Sequence, residues 1–110
     1  MATVFKNILH SGLGTSPVTV LTTASNAKTT VIGLSLTNMT DSIVLASIQI
    51  EDTVGLTSAY YLKDVILPPN QSLRVVNGGE RLVLGVSTKI NITTNTASSL
   101  DLVLSYVEIV

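Results

Sequence analysis

The chain has 110 residues, six Lys and Arg against seven Asp and Glu, one His and no Cys. That length makes one domain around one core. Charged residues are only 12% and apolar residues 45%, so Thr, Ser and Asn stand where a typical soluble domain, about a quarter charged, carries its ions. A disordered chain, a disulfide scaffold and a thiolate metal site are excluded. A formal charge of −1 also leaves no electrostatic footprint for nucleic acid.

Period two dominates from the start, and the elements come in chain order as strands. The first runs over about 3–10 and shows no apolar run of about 7–15 residues, so no secretory signal is expected. Gly12-Leu13-Gly14-Thr15-Ser16-Pro17 separates it from a second strand at 18–23. Residues 24–28 lead to a third at 29–38, where Ile32, Leu34 and Leu36 alternate with Gly33, Ser35 and Thr37. Met39-Thr40-Asp41-Ser42 connects to a fourth at 43–52, with Val44, Ala46, Ile48 and Ile50 on one side. A fifth follows at 58–66. Pro68-Pro69 then interrupts pairing, since proline supplies no amide hydrogen. Short strands at 72–76 and 80–84 flank Asn77-Gly78-Gly79, a hairpin signal that places Gly78 at positive φ. The last strands are 86–94 and 100–109, the final one ending the chain in an apolar sheet strand. Along 82–92 the even positions Leu82, Leu84, Val86, Thr88, Ile90 and Ile92 share the buried face.

This pattern is all-β, a single antiparallel β-sandwich or jelly-roll-like domain of about eight strands over residues 1–110, with little or no helix. No apolar stretch approaches the ~20 residues of a spanning helix. A membrane barrel wants aromatic girdles, and Phe5, Tyr60, Tyr61 and Tyr106 are the only aromatics. A soluble protein made in the cytoplasm, with no membrane partner, is the expectation.

Residues with chemistry are few. His10 stands beside Ser11, but sequence adjacency does not make a catalytic arrangement. Glu51 and Asp52 point to opposite faces of a strand and do not converge, and Asp64 stands apart. Gly12-Leu13-Gly14 lacks the Lys and the helix of a phosphate loop. Asn38, Asn70 and Asn91 each begin an Asn-x-Ser/Thr triplet, which matters only in a glycosylating compartment. The reading is no catalytic residue, no metal, no cofactor and no enzyme. Tyr60-Tyr61 is the one aromatic pair able to stack on a sugar or fill a partner's pocket, with one ring facing outward.

The surface is more informative. In the closing strand Leu102, Leu104 and Tyr106 face one way, and Val103, Val107 and Ile109 the other. Val31, Leu45 and Val83 likewise set apolar groups opposite the expected core. One sandwich has one interior, so the second apolar set calls for a partner, and low charge means little repulsion between copies. Tyr60, Tyr61, Val103, Val107 and Ile109 are therefore the candidate interface residues.

Leu36-Thr37-Asn38, the run from Tyr61 to Pro68 (Tyr-Leu-Lys-Asp-Val-Ile-Leu-Pro), Gly78 to Leu84 (Gly-Gly-Glu-Arg-Leu-Val-Leu) and Asp101 to Glu108 (Asp-Leu-Val-Leu-Ser-Tyr-Val-Glu) follow one another in an arrangement spanning nearly the whole chain. In this the sequence resembles small β-sandwich virion structural proteins of tailed bacteriophages, especially cyanophages. The resemblance implies a homo-oligomer, a homotrimer by preference, located in the virion and partnered by the major capsid protein or other virion proteins. A capsid decoration, or cement, protein is the first expectation. A neck, tail or fibre protein and a carbohydrate-binding β-sandwich module are the alternatives. One departure is that a single glycine, Gly85, separates Leu84 from Val86, which leaves the strand count there open.

Overall fold

A computed structural model describes residues 2–76 and 81–110. Nine strands follow in order: β1 Thr3–Leu13, β2 Val18–Thr22, β3 Lys28–Asn38, β4 Val44–Asp52, β5 Thr57–Leu67, β6 Ser72–Val76, β7 Leu82–Leu84, β8 Thr88–Thr94 and β9 Leu100–Ile109. The expected hairpin at Asn77-Gly78-Gly79, with Gly78 at positive φ, lies outside the described residues.

Two antiparallel sheets pack face to face. Sheet A has the order β1-β9-β3-β6, with β7 also paired to β3; sheet B has the order β2-β8-β4-β5. Taking β6 and β7 together as one interrupted strand, this is the jelly-roll order, in which the chain returns to place its last strand beside its first. Residues 85–87 take the chain from sheet A to sheet B, with Ser87 at φ 49°. The shortened turn at Gly85 thus separates two strands, and the described residues form nine in all.

The core lies between the sheets. Leu34, Leu36, Leu100, Leu102 and Leu104 of sheet A meet Ile48, Ile90, Ile92 and Leu67 of sheet B, all at 2% exposure or less. Burying such a side chain contributes about 1.5–3 kcal/mol.

Simple alternation fails at Ile32 in β3 and at Val86, among other places. In β3 the pairing with β9 passes from Val31↔Tyr106 to Gly33↔Ser105. Ile32 is the extra residue of a β-bulge, and a bulge changes which side chains face inward. Val31 is therefore fully buried and Ile32 lies at the surface, the reverse of the pattern read from the sequence. The second place is Val86, which sits in the crossover ahead of β8 and is 43% exposed, while Thr88, Ile90 and Ile92 face the core.

Candidate functional site

The two outer faces of the sandwich differ in chemistry. On sheet A, Phe5 stands opposite Val107, Val107 opposite Thr30, and Thr30 opposite Val83. A parallel row runs from Leu9 to Val103 to Ser35. Phe5, Leu9 and Val83 are 74%, 69% and 73% exposed. Val103 and Ile109 are also exposed and Val107 is half-buried. Cross-strand neighbours lie about 4.5–5.5 Å apart, so each row is continuous across the strands, and the row Asn7–Ser105–Gly33 runs between the two. On this face the Ile32–Gly33 bulge opens a shallow hollow of about 270 Å³ lined by Arg74, Val103 and Ser105. Val83 carries the first row round the end of the sandwich, where with Val86 and Val54 it lines a second hollow.

Sheet B is polar over the middle of its outer face. Thr19 Oγ1 donates to Asn91 Oδ1 at 2.6 Å, and Asn91 Nδ2 donates to Glu51 Oε1 at 3.1 Å and Gln49 Oε1 at 3.5 Å. Gln49 Nε2 continues the row to Ser58 Oγ at 3.3 Å. These groups satisfy one another and hold the face as a hydrogen-bonded ladder. Half-buried Leu45 opposite exposed Ile66, and the half-exposed Tyr60 opposite Gln49, are apolar there.

Val103, Val107 and Ile109 thus share one face with Val83. Leu45 lies on the outer face of the other sheet. Val31 does not belong to either surface, because the β3 bulge turns it into the core. Phe5 and Leu9 are the members the sequence reading left out. Their signal was present in the odd positions of β1, but an edge strand with one polar residue between two apolar ones does not declare which side is buried.

Tyr60 and Tyr61 part company. Pairing passes from Ile48↔Leu62 to Gln49↔Tyr60, so Tyr61 is the extra residue of a bulge and packs against the core beside Leu62. Tyr60 is about half exposed, and the Lys63 ammonium lies 4.4 Å from its ring centroid. Tyr60, Lys63, Asp64, Ser47 and Asn95 line a hollow of about 250 Å³ on sheet B. Ser47 Oγ accepts from the Asp64 amide at 2.9 Å, holding Asp64 at φ 50°.

The remaining polar candidates have local structural work. Asp52 Oδ1 accepts from the amides of Val54 and Gly55 and shapes the β4–β5 turn. Gly14 approaches the Ser98 amide so closely that a Cβ would stand 3.0 Å from it. Asn38 is fully buried, so its triplet is a turn element. Lys6 Nζ donates to Glu108 Oε1 at 3.1 Å, and that hydrogen bond with the carboxylate's charge raises the lysine above its ordinary 10.5. No group of three or more His, Asp or Glu is placed to hold a metal ion among the described residues. No helix there is long and apolar enough to cross a membrane.

No protein-family model and no curated protein sequence matches the chain. Among solved structures it is similar to a chain from Bacillus endospore appendages, described as disulfide-linked pili, at TM-score 0.53 and 8% identity, covering 96% of this chain and 86% of that one. It also aligns with the infectious bursal disease virus T13 particle at TM-score 0.47 and 11% identity, covering 96% of this chain and 35% of that one. The Gt strain of that virus gives TM-score 0.47 and 12% identity, covering 97% and 33%. At such identities the pilus likeness speaks for the shared β-fold alone. This chain has no cysteine, so the disulfide linkage in that description has no counterpart here. The chain is a jelly-roll β-sandwich with exposed apolar rows on one outer face and a hydrogen-bonded polar ladder on the other.

Proposed function

We propose that this chain is a non-catalytic structural subunit of a tailed-phage virion, and that it acts as an oligomeric decoration protein on the capsid exterior. The observation that carries the reading is the asymmetry of the outer faces. Phe5, Leu9, Val83 and Val103 leave two exposed apolar rows on sheet A, while sheet B satisfies its own polar groups. Large exposed apolar patches on soluble domains mark interaction sites. Docking sheet A against a shell and leaving sheet B in water suits both faces. The resemblance of the sequence to phage virion proteins supplies the shell; the threefold assembly which that resemblance implies is the alternative to the twofold contact proposed below.

Attachment of this kind is apolar and repeated. Several copies held on one lattice gain effective concentration, which raises avidity by about 10²–10⁴ over one contact. With six basic residues in the chain, binding survives moderate salt, since screening weakens ionic contacts far more than apolar ones. The test is to add purified protein to expanded capsids that lack it. The expected result is adsorption that persists in salt and raises the temperature at which the capsid opens, because a ligand of the intact shell stabilises it by mass action. A bare head with density at the neck or tail overturns the decoration role. Glycan binding lost on Tyr60→Ala, with no capsid binding, favours the carbohydrate module instead; the Lys63 ammonium over the Tyr60 ring weighs against that outcome.

A further inference from the structure

We propose that the free edge of β1 is a self-pairing surface, on which a second copy of this chain adds its own β1 antiparallel about a twofold axis at Asn7. The contact rests on strand geometry and does not depend on the virion reading.

A sheet edge with unpaired backbone groups is a template for another strand, and proteins commonly blunt such edges with short strands, bulges, proline or charge. The other edges here are blunted. β2 has five residues, follows Pro17 and is interrupted between Thr19 and Leu21. β5 carries two irregularities, Lys63 and the left-handed Asp64. β6 has five residues and a register shift, and β7 has three. β1 differs over its first eight residues. Its pairing with β9 is unbroken from Thr3 to His10, the register shift coming only between His10 and Leu13, it contains no proline, and the charge of Lys6 is matched by Glu108 on β9.

Backbone parity fixes which groups face outward. Ala2 and Val110 exchange both amide hydrogen bonds, Ala2 N to Val110 O at 3.0 Å and Val110 N to Ala2 O at 2.9 Å. Hydrogen-bonded and non-hydrogen-bonded pairs alternate along an antiparallel ladder. The even residues of β1 therefore bond to β9, and Thr3, Phe5, Asn7 and Leu9 turn their N–H and C=O to the free edge. Those same odd residues put Phe5 and Leu9 on the apolar outer face.

A second β1 laid antiparallel with Asn7 opposite Asn7 meets each requirement at once. Outward amides face outward carbonyls at Asn7 and at both Phe5–Leu9 pairs. Each Phe5 falls across from the other copy's Leu9, so the two most exposed apolar residues of the strand cover each other. Lys6 falls across from Ile8, so no like charges stand directly opposite, an arrangement that would destabilise the pair. The occupant is a second copy because this register sets each exposed Phe5 against the other copy's Leu9 and opposes no like charges. The result is one continuous sheet through both molecules, and it leaves Val83 and the β3 bulge uncovered for other contacts.

The experiment uses the absence of cysteine from the chain. Asn7→Cys places one thiol opposite its own copy, about 5.5 Å away between Cα atoms. Phe5→Cys places its thiols four residues apart in register, about 13 Å along the strands. A bifunctional thiol reagent with a reach between those distances is expected to convert Asn7→Cys to covalent dimer and to leave Phe5→Cys single. A mixture of Phe5→Cys and Leu9→Cys is expected to cross-link to each other. Light scattering on the unmodified protein at high micromolar concentration should give the dimer mass. Asn7→Pro removes an outward N–H that β9 does not use, and should give a monomer with an unchanged far-ultraviolet spectrum. A monomer or a trimer from the unmodified chain overturns the pairing, as does Phe5→Cys cross-linking as readily as Asn7→Cys. Should Asn7→Pro fail to fold, the cysteine variants still decide. Dimer formation without capsid binding sinks the decoration reading and leaves this contact standing.

Discussion

The side-chain amide of Asn38, at the end of β3, donates to the main-chain carbonyl of Leu67, at the end of β5, with a separation of 3.0 Å. The same Nδ2 also lies 2.8 Å from the carbonyl of Ser42 and 3.1 Å from that of Pro68, while Oδ1 accepts from the Thr40 amide and hydroxyl. One fully buried side chain thus ties the β3–β4 turn in one sheet connection to the β5–β6 turn in another. Backbone amides support the joint, with Asn38 N donating to Gln71 O and Asn70 N to Thr40 O.

Asn38→Ala should destabilise the fold by about 2–4 kcal/mol, since it strands the buried Leu67 carbonyl and several part-buried groups, a buried one costing about 1–3 kcal/mol unpaired. Asn38→Asp should be no better, because a carboxylate accepts only and would face three carbonyl oxygens. Urea denaturation measures both. A midpoint shift corresponding to less than about 0.5 kcal/mol for either variant would show that the turns hold themselves.

The bulge in β3 makes a paired prediction. Val31 is fully buried and Ile32 is at the surface, so Val31→Ala should cost about 2 kcal/mol, and Ile32→Ser should stay within about 0.5 kcal/mol of the parent. Thermal melts of the two variants compare them directly. The opposite ranking would mean that the strand keeps plain alternation.

On the outer face of sheet A, Val83→Lys combined with Val103→Lys should leave stability within about 1–2 kcal/mol of the parent, the residual cost being strand propensity and partial burial. It should also abolish adsorption to capsids. Circular dichroism and capsid co-sedimentation provide the two readouts. Full binding by the double variant would move the attachment surface elsewhere.

The Lys6–Glu108 pair gives a pH dependence with a definite sign. The lysine is raised above 10.5 in the folded protein by the Glu108 hydrogen bond and charge. A raised lysine stabilises the fold fully below its unfolded value, and that stabilisation is lost as pH rises through the folded value. The melting temperature of Lys6→Met should therefore lie slightly below that of the parent at neutral pH, with the gap closing above pH 10.5. A gap that widens in alkali would contradict the pairing.

The fold class and nearly every strand could be read from the residues. Alternating Val, Ile, Leu and Thr broken by Gly, Pro and Asn is a local signal, and local chain geometry makes strands and turns from it. Leu102, Leu104 and Tyr106 against Val103, Val107 and Ile109 was legible for the same reason, because the extra residue of the bulge belongs to β3 and β9 itself keeps its alternation. What alternation did not contain is where a strand takes in an extra residue. A bulge is decided by the partner strand's register, which is tertiary, and it turned Val31 inward, brought Ile32 out, and set Tyr61 on the core while Tyr60 stayed in water. Adjacency is the other tertiary decision. Phe5 is an isolated aromatic in the sequence, and it becomes part of a surface only because the last strand returns to lie beside the first and sets Val107 opposite it.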